Sequence, residues 1–210
     1  TLKPPKRAVL FRVKPGAGST AAEVKTKDFA SKRWYNGMAM LDASTLLMTP
    51  SNLLGSDTAV VKLKITSSST LAHTVSDWLP GSILYLIPNG IQVADGHLYY
   101  VGGQSLYRIK ITSAGAAGIP FLIYQAPVNK VLDDLSVWGD WVSVTEIGLV
   151  NGLGLNSITV VNKTGLTVPY KILTGMTQLS SLARDPGSFG ATGSYVATSY
   201  FQGGILRYYP

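Results

Sequence analysis

The sequence predicts an all-β fold, an antiparallel β-propeller built from repeated sets of four short strands. Short segments rich in β-branched and aromatic residues alternate with turns that contain Gly, Asn, Asp, Ser or Pro along the chain. One short motif recurs at a regular interval, as expected when every blade of a propeller begins with the same strand. No segment shows sustained helical periodicity.

The recurring motif is the innermost strand of each predicted blade. Its copies start 53, 44 and 47 residues apart, close to the roughly 40 to 50 residues of a four-stranded blade. The copies are Asn36-Gly37-Met38-Ala39-Met40-Leu41, Asn89-Gly90-Ile91-Gln92-Val93-Ala94, Asp133-Asp134-Leu135-Ser136-Val137-Trp138 and the weaker Ser180-Ser181-Leu182-Ala183-Arg184.

The spacing divides residues 1–210 into one domain of three full blades and two partial ones. We expect full blades at residues 36–78, 89–125 and 133–173, and partial blades at residues 1–29 and 180–210. The further strands are predicted at 8–13, 22–29, 45–49, 59–65, 73–78, 97–101, 105–111, 119–125, 141–146, 157–162, 168–173, 195–199 and 204–209. Because a propeller normally closes into a ring, we expect a six-bladed architecture whose remaining segment is omitted or supplied by a separate chain.

Composition and charge exclude several classes of protein. Hydrophobic residues make up 46% of the chain and charged residues 14%, which predicts a folded globular protein. The net charge of +7 lies within residues 1–33, which hold nine Lys and Arg against two acidic residues. Without a recognition motif this charge does not indicate nucleic-acid binding. No apolar run approaches the roughly 20 residues of a membrane-spanning helix.

The chain contains no cysteine, so it has no disulfide and no thiolate chemistry. Asn162-Lys163-Thr164 fits the N-glycosylation sequon and falls in a predicted surface turn. We therefore expect glycosylation at Asn162 in a secreted or secretory-pathway protein whose signal would precede residue 1. Only two histidines occur, and both lie in predicted strands, which argues against a His-based triad or zinc site.

The blade starts resemble the fungal branch of the senescence marker protein, gluconolactonase and NHL-like six-bladed propellers. The resemblance covers nearly the whole chain. The residues that support it are Tyr35-Asn36-Gly37-Met38-Ala39, Ser44-Thr45-Leu46-Leu47, Pro88-Asn89-Gly90-Ile91, Asp95-Gly96-His97-Leu98-Tyr99-Tyr100, Asp133-Asp134-Leu135, Gly193-Ser194-Tyr195-Val196-Ala197-Thr198-Ser199 and Gly203-Gly204.

In the lactonase branch of this family, an Asn and an Asp at successive blade starts hold a divalent cation together with an N-terminal Glu. Asn89 and Asp133 fall on those two positions, and Asn36 lies on the same ring one blade earlier. The resemblance thus implies a Ca²⁺ or Mg²⁺ site in which Asp133 deprotonates water that attacks a lactone. The Glu is not identifiable, and Asn-Gly and Asp-Asp are also ordinary turn sequences.

The chain is more similar to fungal family members that resemble hetero-Diels-Alderases of meroterpenoid biosynthesis. Such enzymes join an o-quinone methide to a terpene olefin, and they need neither metal nor other cofactor. Catalysis would depend on holding both partners in reactive geometry and excluding water. We take a small-molecule enzyme of this kind as the leading hypothesis, with a metal-dependent lactonase and a non-catalytic small-molecule-binding propeller as alternatives.

The predicted site is the mouth of an axial pocket. In a propeller, the loops entering the inner strands and the loops joining second to third strands meet on one face. Asn36, Asn89 and Asp133 are the candidate catalytic residues. The candidate substrate-binding residues are Trp34, Tyr35, Asn52, Gln104, Glu146, Tyr200, Phe201 and Gln202.

Overall fold

The fold was obtained as a computed structural model. The structure describes residues 7–15, 21–30, 34–51, 58–80, 88–148, 154–176, 179–185, 194–199 and 205–208. These residues form 17 strands and no helix, so none of them belongs to a helix long and apolar enough to cross a membrane.

The strands form five antiparallel sheets that follow one another along the chain. Sheet 1 contains β1 (Arg7–Pro15) and β2 (Ala21–Ala30). Sheet 2 contains β3 (Trp34–Asp42), β4 (Thr45–Ser51), β5 (Thr58–Ser67) and β6 (Ala72–Pro80). Sheet 3 contains β7 (Pro88–Ala94), β8 (His97–Gly102), β9 (Ser105–Ile111) and β10 (Ala117–Gln125). Sheet 4 contains β11 (Lys130–Trp138), β12 (Trp141–Gly148), β13 (Gly154–Asn162) and β14 (Tyr170–Met176). Sheet 5 contains β15 (Leu179–Arg184), β16 (Tyr195–Ser199) and β17 (Ile205–Tyr208).

This architecture confirms the predicted all-β propeller class. Each four-stranded sheet is a meander in which every strand pairs with the next one along the chain. The strand ends differ from the prediction by a few residues. For example, β14 begins at Tyr170 rather than at residue 168, where Pro169 has no N–H to donate to the ladder.

The core lies between sheets, because both faces of a central sheet are covered. On β8, Leu98 and Tyr100 pack against sheet 2, whereas Tyr99 and Val101 pack against sheet 4. Successive side chains of a strand point to opposite faces, so a strand buried on both sides is apolar at every position. This explains the unbroken apolar run at residues 98–101.

Polar contacts also join neighbouring sheets. The indole Nε1 of Trp78 on β6 donates to the carbonyl of Gly115 in sheet 3 over 2.8 Å. Between sheets 4 and 5, the Ser143 and Tyr195 hydroxyls lie 2.8 Å apart. Together with the apolar layers, these contacts bring the inner strands β3, β7, β11 and β15 side by side.

Candidate active site

All four inner strands have a β-bulge at the same place. On β3 the register moves from Tyr35 opposite Pro50 to Met38 opposite Met48, so the inner strand has one extra residue. The same shift occurs on β7, β11 and β15. The residues at the bulges are Asn36-Gly37, Asn89-Gly90, Asp133-Asp134 and Ser180-Ser181. A bulge interrupts the ladder and redirects side chains, so these four pairs can face a common space.

The bulges line one cleft, which we call the axial cleft. Its volume is about 230 Å³. Its lining consists of Asn36, Gly37, Met38, Asn89, Gly90, Ile91, Asp133, Asp134, Ser180 and Ser181. The three predicted catalytic residues, Asn36, Asn89 and Asp133, are therefore brought together, and the lining is mostly polar.

Two of the bulges need glycine because neighbouring inner strands touch there. A Cβ at Gly37 would lie 2.4 Å from the carbonyl oxygen of Asn89, and a Cβ at Gly90 would lie 2.4 Å from Asp134 Oδ1. Neither glycine has a left-handed φ, so the requirement is one of space. This explains the recurrence of Asn-Gly at blade starts in steric terms.

Threonine hydroxyls replace the ladder bonds that the bulges lose. Thr49 Oγ1 accepts from the Gly37 amide and donates to the Asn89 carbonyl, both over 2.6 Å. Thr145 Oγ1 accepts from the Asp134 amide over 2.9 Å and donates to the Ser180 carbonyl over 3.1 Å. Each hydroxyl therefore joins a bulge to the bulge of the next sheet, which satisfies otherwise unpaired backbone groups.

Asp133 lies between the bulges of sheets 3 and 5. The amide Nδ2 of Asn89 donates to Asp133 Oδ1, and the Ser180 side chain is also hydrogen-bonded to this carboxylate. Burial raises the pKa of Asp133 above its ordinary value, although the hydrogen bonds from Ser180 and Asn89 oppose the rise. A carboxylate with a raised pKa is a stronger base than one in water.

Asp134 binds the backbone on both sides of the gap between β11 and β15. Its Oδ1 accepts from the Leu135 amide over 2.9 Å, and its Oδ2 accepts from the Leu182 amide over 3.0 Å. Burial raises the pKa of Asp134, and the charge of Asp133 raises it further, against these two hydrogen bonds. Both oxygens of this carboxylate are therefore engaged with the protein.

The oxygen atoms of the cleft suit a hard divalent cation. Carboxylate and amide oxygens are ligands that Ca²⁺ and Mg²⁺ prefer, and Asp133, Asn89 and Asn36 bring such side chains to the lining of the cleft. Asn89 would have to turn its amide, since its nitrogen now faces Asp133. Within the described residues, no three His, Cys, Asp or Glu side chains are grouped as a metal site.

Three predicted substrate-binding residues lie elsewhere. Trp34 is 49% exposed, and Tyr35 packs against the apolar layer between sheets 1 and 2. The Gln104 side chain turns away from the cleft, because its Nε2 donates to the Pro127 carbonyl over 2.8 Å. The main-chain carbonyl of Gln104 accepts from the Ala126 amide. None of the three lines the described cleft, so their predicted position at the cleft is corrected.

The predicted position of Glu146 is also corrected, because its side chain is fully buried inside sheet 4 rather than at the mouth of the axial pocket. Its carboxylate accepts from the Tyr124, Thr159 and Ser157 hydroxyls and pairs with Lys171 over 3.2 Å. Burial alone would raise the pKa of Glu146, but these partners lower it below its ordinary value. The carboxylate therefore joins sheets 3 and 4 by hydrogen bonds, and its burial keeps it from contact with a substrate.

The remaining predicted contacts, Asn52, Tyr200, Phe201 and Gln202, lie outside the described residues. At the predicted glycosylation site, Asn162 ends β13, and its Oδ1 accepts from the Thr164 amide over 2.9 Å and the Thr164 hydroxyl over 2.5 Å. Asn162 thus begins a tight turn, with Thr164 exposed.

The sequence also missed residues that line the cleft. Asp134, Ser180 and Ser181 belong to the recurring motif and line the cleft, but they are not among the site residues that the sequence predicts. The recurrence of the motif is the signal that could identify these residues, because each two-residue start lies at an equivalent bulge. A bulge adds one residue to a strand without changing the type of residues in it. The sequence therefore does not show that the second residue of each motif also faces the cleft.

Comparison with known proteins gives a match of fold. No protein-family model matches the sequence, and no curated protein is similar enough to count as a match. Among solved structures, the chain is similar to a gluconolactonase from Xanthomonas campestris described as important in glucose secondary metabolic pathways, with a TM-score of 0.54 and 18% identity. The match covers 83% of this chain and 57% of that one, so this chain spans less than two thirds of its neighbour. At this identity, the shared feature is the gluconolactonase propeller fold.

Proposed function

We propose that the axial cleft is the active site of a lactonase-type hydrolase that opens a small polar lactone. The observation that supports this most directly is the position of Asp133, a carboxylate with a raised pKa between Asn89 and Ser180 in a polar cleft. The gluconolactonase fold of the chain agrees with this assignment. Fold alone does not imply function, so the proposal depends on the cleft.

Asp133 would act as the general base. It removes a proton from a water molecule, whose oxygen forms a bond to the lactone carbonyl carbon. The ring C–O bond then breaks, and the ring oxygen takes up the proton that Asp133 removed from the water, which gives a hydroxyl and regenerates the carboxylate. A base with a pKa above that of an ordinary aspartate is better matched to a neutral operating pH. The Asn89 and Ser180 side chains keep the carboxylate in place.

The size and polarity of the cleft favour a small substrate. Its volume of about 230 Å³ is below the roughly 300 to 1,000 Å³ of sites for drug-sized ligands. Asn36, Asn89 and Ser180 offer hydrogen-bonding groups suited to a polyhydroxylated ring. The charged groups of the described lining are the carboxylates Asp133 and Asp134, which disfavour an anionic substrate.

A divalent cation is compatible with the same residues. Asp133 and Asn89 would hold it, and a bound ion would polarise the lactone carbonyl.

The hetero-Diels-Alderase hypothesis receives no support from the described contacts. Trp34 and Tyr35 are aromatic residues predicted to bind its substrate, and neither lines the described cleft. Tyr200 and Phe201 lie outside the described residues. Polar bulges and a small volume suit hydrolysis of a hydrated substrate better than a reaction that must exclude water.

The proposal is tested by measuring hydrolysis of a panel of aldonolactones and uncharged aryl esters in a pH-stat. We expect turnover of at least one lactone by the wild type, and a loss of about 100-fold or more in Asp133→Asn, the range for removal of a general base. Asp140→Asn is the matched control, because Asp140 is exposed in the turn after β11. The assay is repeated after chelation and after adding back Ca²⁺ or Mg²⁺.

The outcomes separate the alternatives. Activity lost on chelation and restored by one ion indicates a metal-dependent lactonase, and activity unaffected by chelation indicates a metal-independent one. Equal activity in Asp133→Asn and the wild type would refute the assignment of the base. Saturable binding of a lactone without any turnover would instead support a non-catalytic binding protein.

A further inference from the structure

The second residue of the bulge is a glycine in two sheets and an aspartate in a third, although the bulges are equivalent. Sheets 2 and 3 have Gly37 and Gly90, which leave room for the next inner strand. Sheet 4 has Asp134 at the equivalent place, and its side chain fills the gap to β15. The proposed reaction does not use this carboxylate.

Asp134 contacts the three inner strands that surround Asp133, which are β7, β11 and β15. Its carboxylate accepts from the Leu182 amide on β15 and from the Leu135 amide on β11, over 3.0 and 2.9 Å. Its own amide donates to Thr145. On the other side, the β7 bulge packs against it, since a Cβ at Gly90 would meet both its Oδ1 and its Cα. Three inner strands are therefore fixed relative to one another at this residue.

We propose that Asp134 is a positioning residue that sets the gap between β11 and β15 and so holds Asp133 between Asn89 and Ser180. This role rests on the hydrolytic function proposed above. Asp134 acts through the backbone: if its carboxylate is removed, β15 loses its bond at Leu182, and Ser180 moves relative to Asp133. A misplacement of about 1 Å at a reacting group can reduce the rate by as much as about 100-fold.

A second bond between the same two strands provides a control. Ser136 Oγ accepts from the Arg184 amide over 3.1 Å, two residues further from the cleft on each strand. Ser136 does not line the axial cleft. Removing it takes one hydrogen bond from the same pair of strands without changing the residues beside Asp133.

The experiment compares Asp134→Gly, Asp134→Asn and Ser136→Ala in the full chain, with folding verified by thermal melting. Two quantities are measured: hydrogen exchange of the Leu182 and Arg184 amides, and the separate values of kcat and KM for the lactone that the wild type hydrolyses. In Asp134→Gly we expect faster exchange at Leu182 and a fall in kcat of about 10- to 100-fold, with KM within about twofold.

Asp134→Asn should retain part of the wild-type kcat, because its amide oxygen can still accept one of the two N–H groups. Ser136→Ala should speed exchange at Arg184 and leave kcat within about twofold of the wild type, because it removes one hydrogen bond between the same strands without changing the residues beside Asp133.

The two proposals fail in different ways. If the wild type hydrolyses no lactone, the proposed function fails and the positioning role of Asp134 in that reaction fails with it. If the wild type is active and Asp134→Gly keeps its kcat, only the positioning role is refuted. A fall in kcat without faster exchange at Leu182 also refutes it, since Asp134 would then act on the substrate directly. A rise in KM alone, at constant kcat, would contradict it as well.

Discussion

Substitution of Gly90 by alanine tests whether the bulges bring the inner strands into contact. The added Cβ would lie 2.4 Å from Asp134 Oδ1, 2.8 Å from Asp134 Cα and 3.1 Å from the Asp133 carbonyl oxygen, whereas ordinary contacts begin near 3.4 Å. The Asp134 oxygen is held by the Leu135 amide, and the other two atoms are backbone. Relief therefore requires a backbone shift.

Overpacking of this kind costs about 1 to 3 kcal/mol, which corresponds to a fall in Tm of roughly 2 to 12 °C for a domain of this size. Because φ at Gly90 is not left-handed, the cost comes from packing alone. Urea unfolding gives the free energy, and lactone hydrolysis reports on the cleft. We expect Gly90→Ala to lose both stability and activity.

Gly96→Ala is the control for this substitution. Gly96 has φ +70 and no atom within 4 Å of an added Cβ. The substitution should therefore cost about 1 kcal/mol through backbone conformation alone and leave the axial cleft unchanged. An unfolding free energy of Gly90→Ala within about 0.5 kcal/mol of the wild type would refute the packing argument.

Three further outcomes follow from individual contacts. Glu146→Gln should destabilise the fold by about 1.5 to 3 kcal/mol at neutral pH; because the folded-state pKa of Glu146 is lowered, this difference from the wild type should shrink as the pH of urea unfolding falls below about 4.5. Thr145→Val should cost about 1 to 3 kcal/mol by leaving the Asp134 amide and Ser180 carbonyl unpaired, and an unchanged urea midpoint would contradict the role of its hydroxyl. Expression in a eukaryotic secretory pathway should give a gel-mobility shift that Asn162→Gln removes, whereas no shift in the wild type would refute glycosylation there.

Much of the fold could be predicted because a propeller repeats its own signals. Four of the five sheets begin with a two-residue motif and continue through short strands, so Asn36, Asn89 and Asp133 fall at equivalent points of the repeat. Equivalent points of successive inner strands face the same axis. This is why those three residues meet in one cleft.

The residues predicted from the loops between second and third strands were placed less well. Gln104 and Glu146 are polar residues near strand ends, and the pattern does not show which way such a side chain turns. Their partners lie far along the chain: Pro127 accepts from Gln104, and Tyr124 in the neighbouring sheet donates to Glu146. Contacts of this kind depend on how sheets pack, which local periodicity does not encode.

We propose that the four equivalent bulges together form a binding site for a small polar molecule. The most direct measurement is an NMR titration of the wild type with 1,5-anhydroglucitol, a neutral ring that lacks the lactone carbonyl and cannot be hydrolysed, with and without Ca²⁺. We expect saturable shifts concentrated at the amides of Gly37, Gly90, Asp134 and Ser181, which lie at the four bulges. Saturable shifts concentrated elsewhere, or the absence of any saturable shift under both conditions, would contradict it.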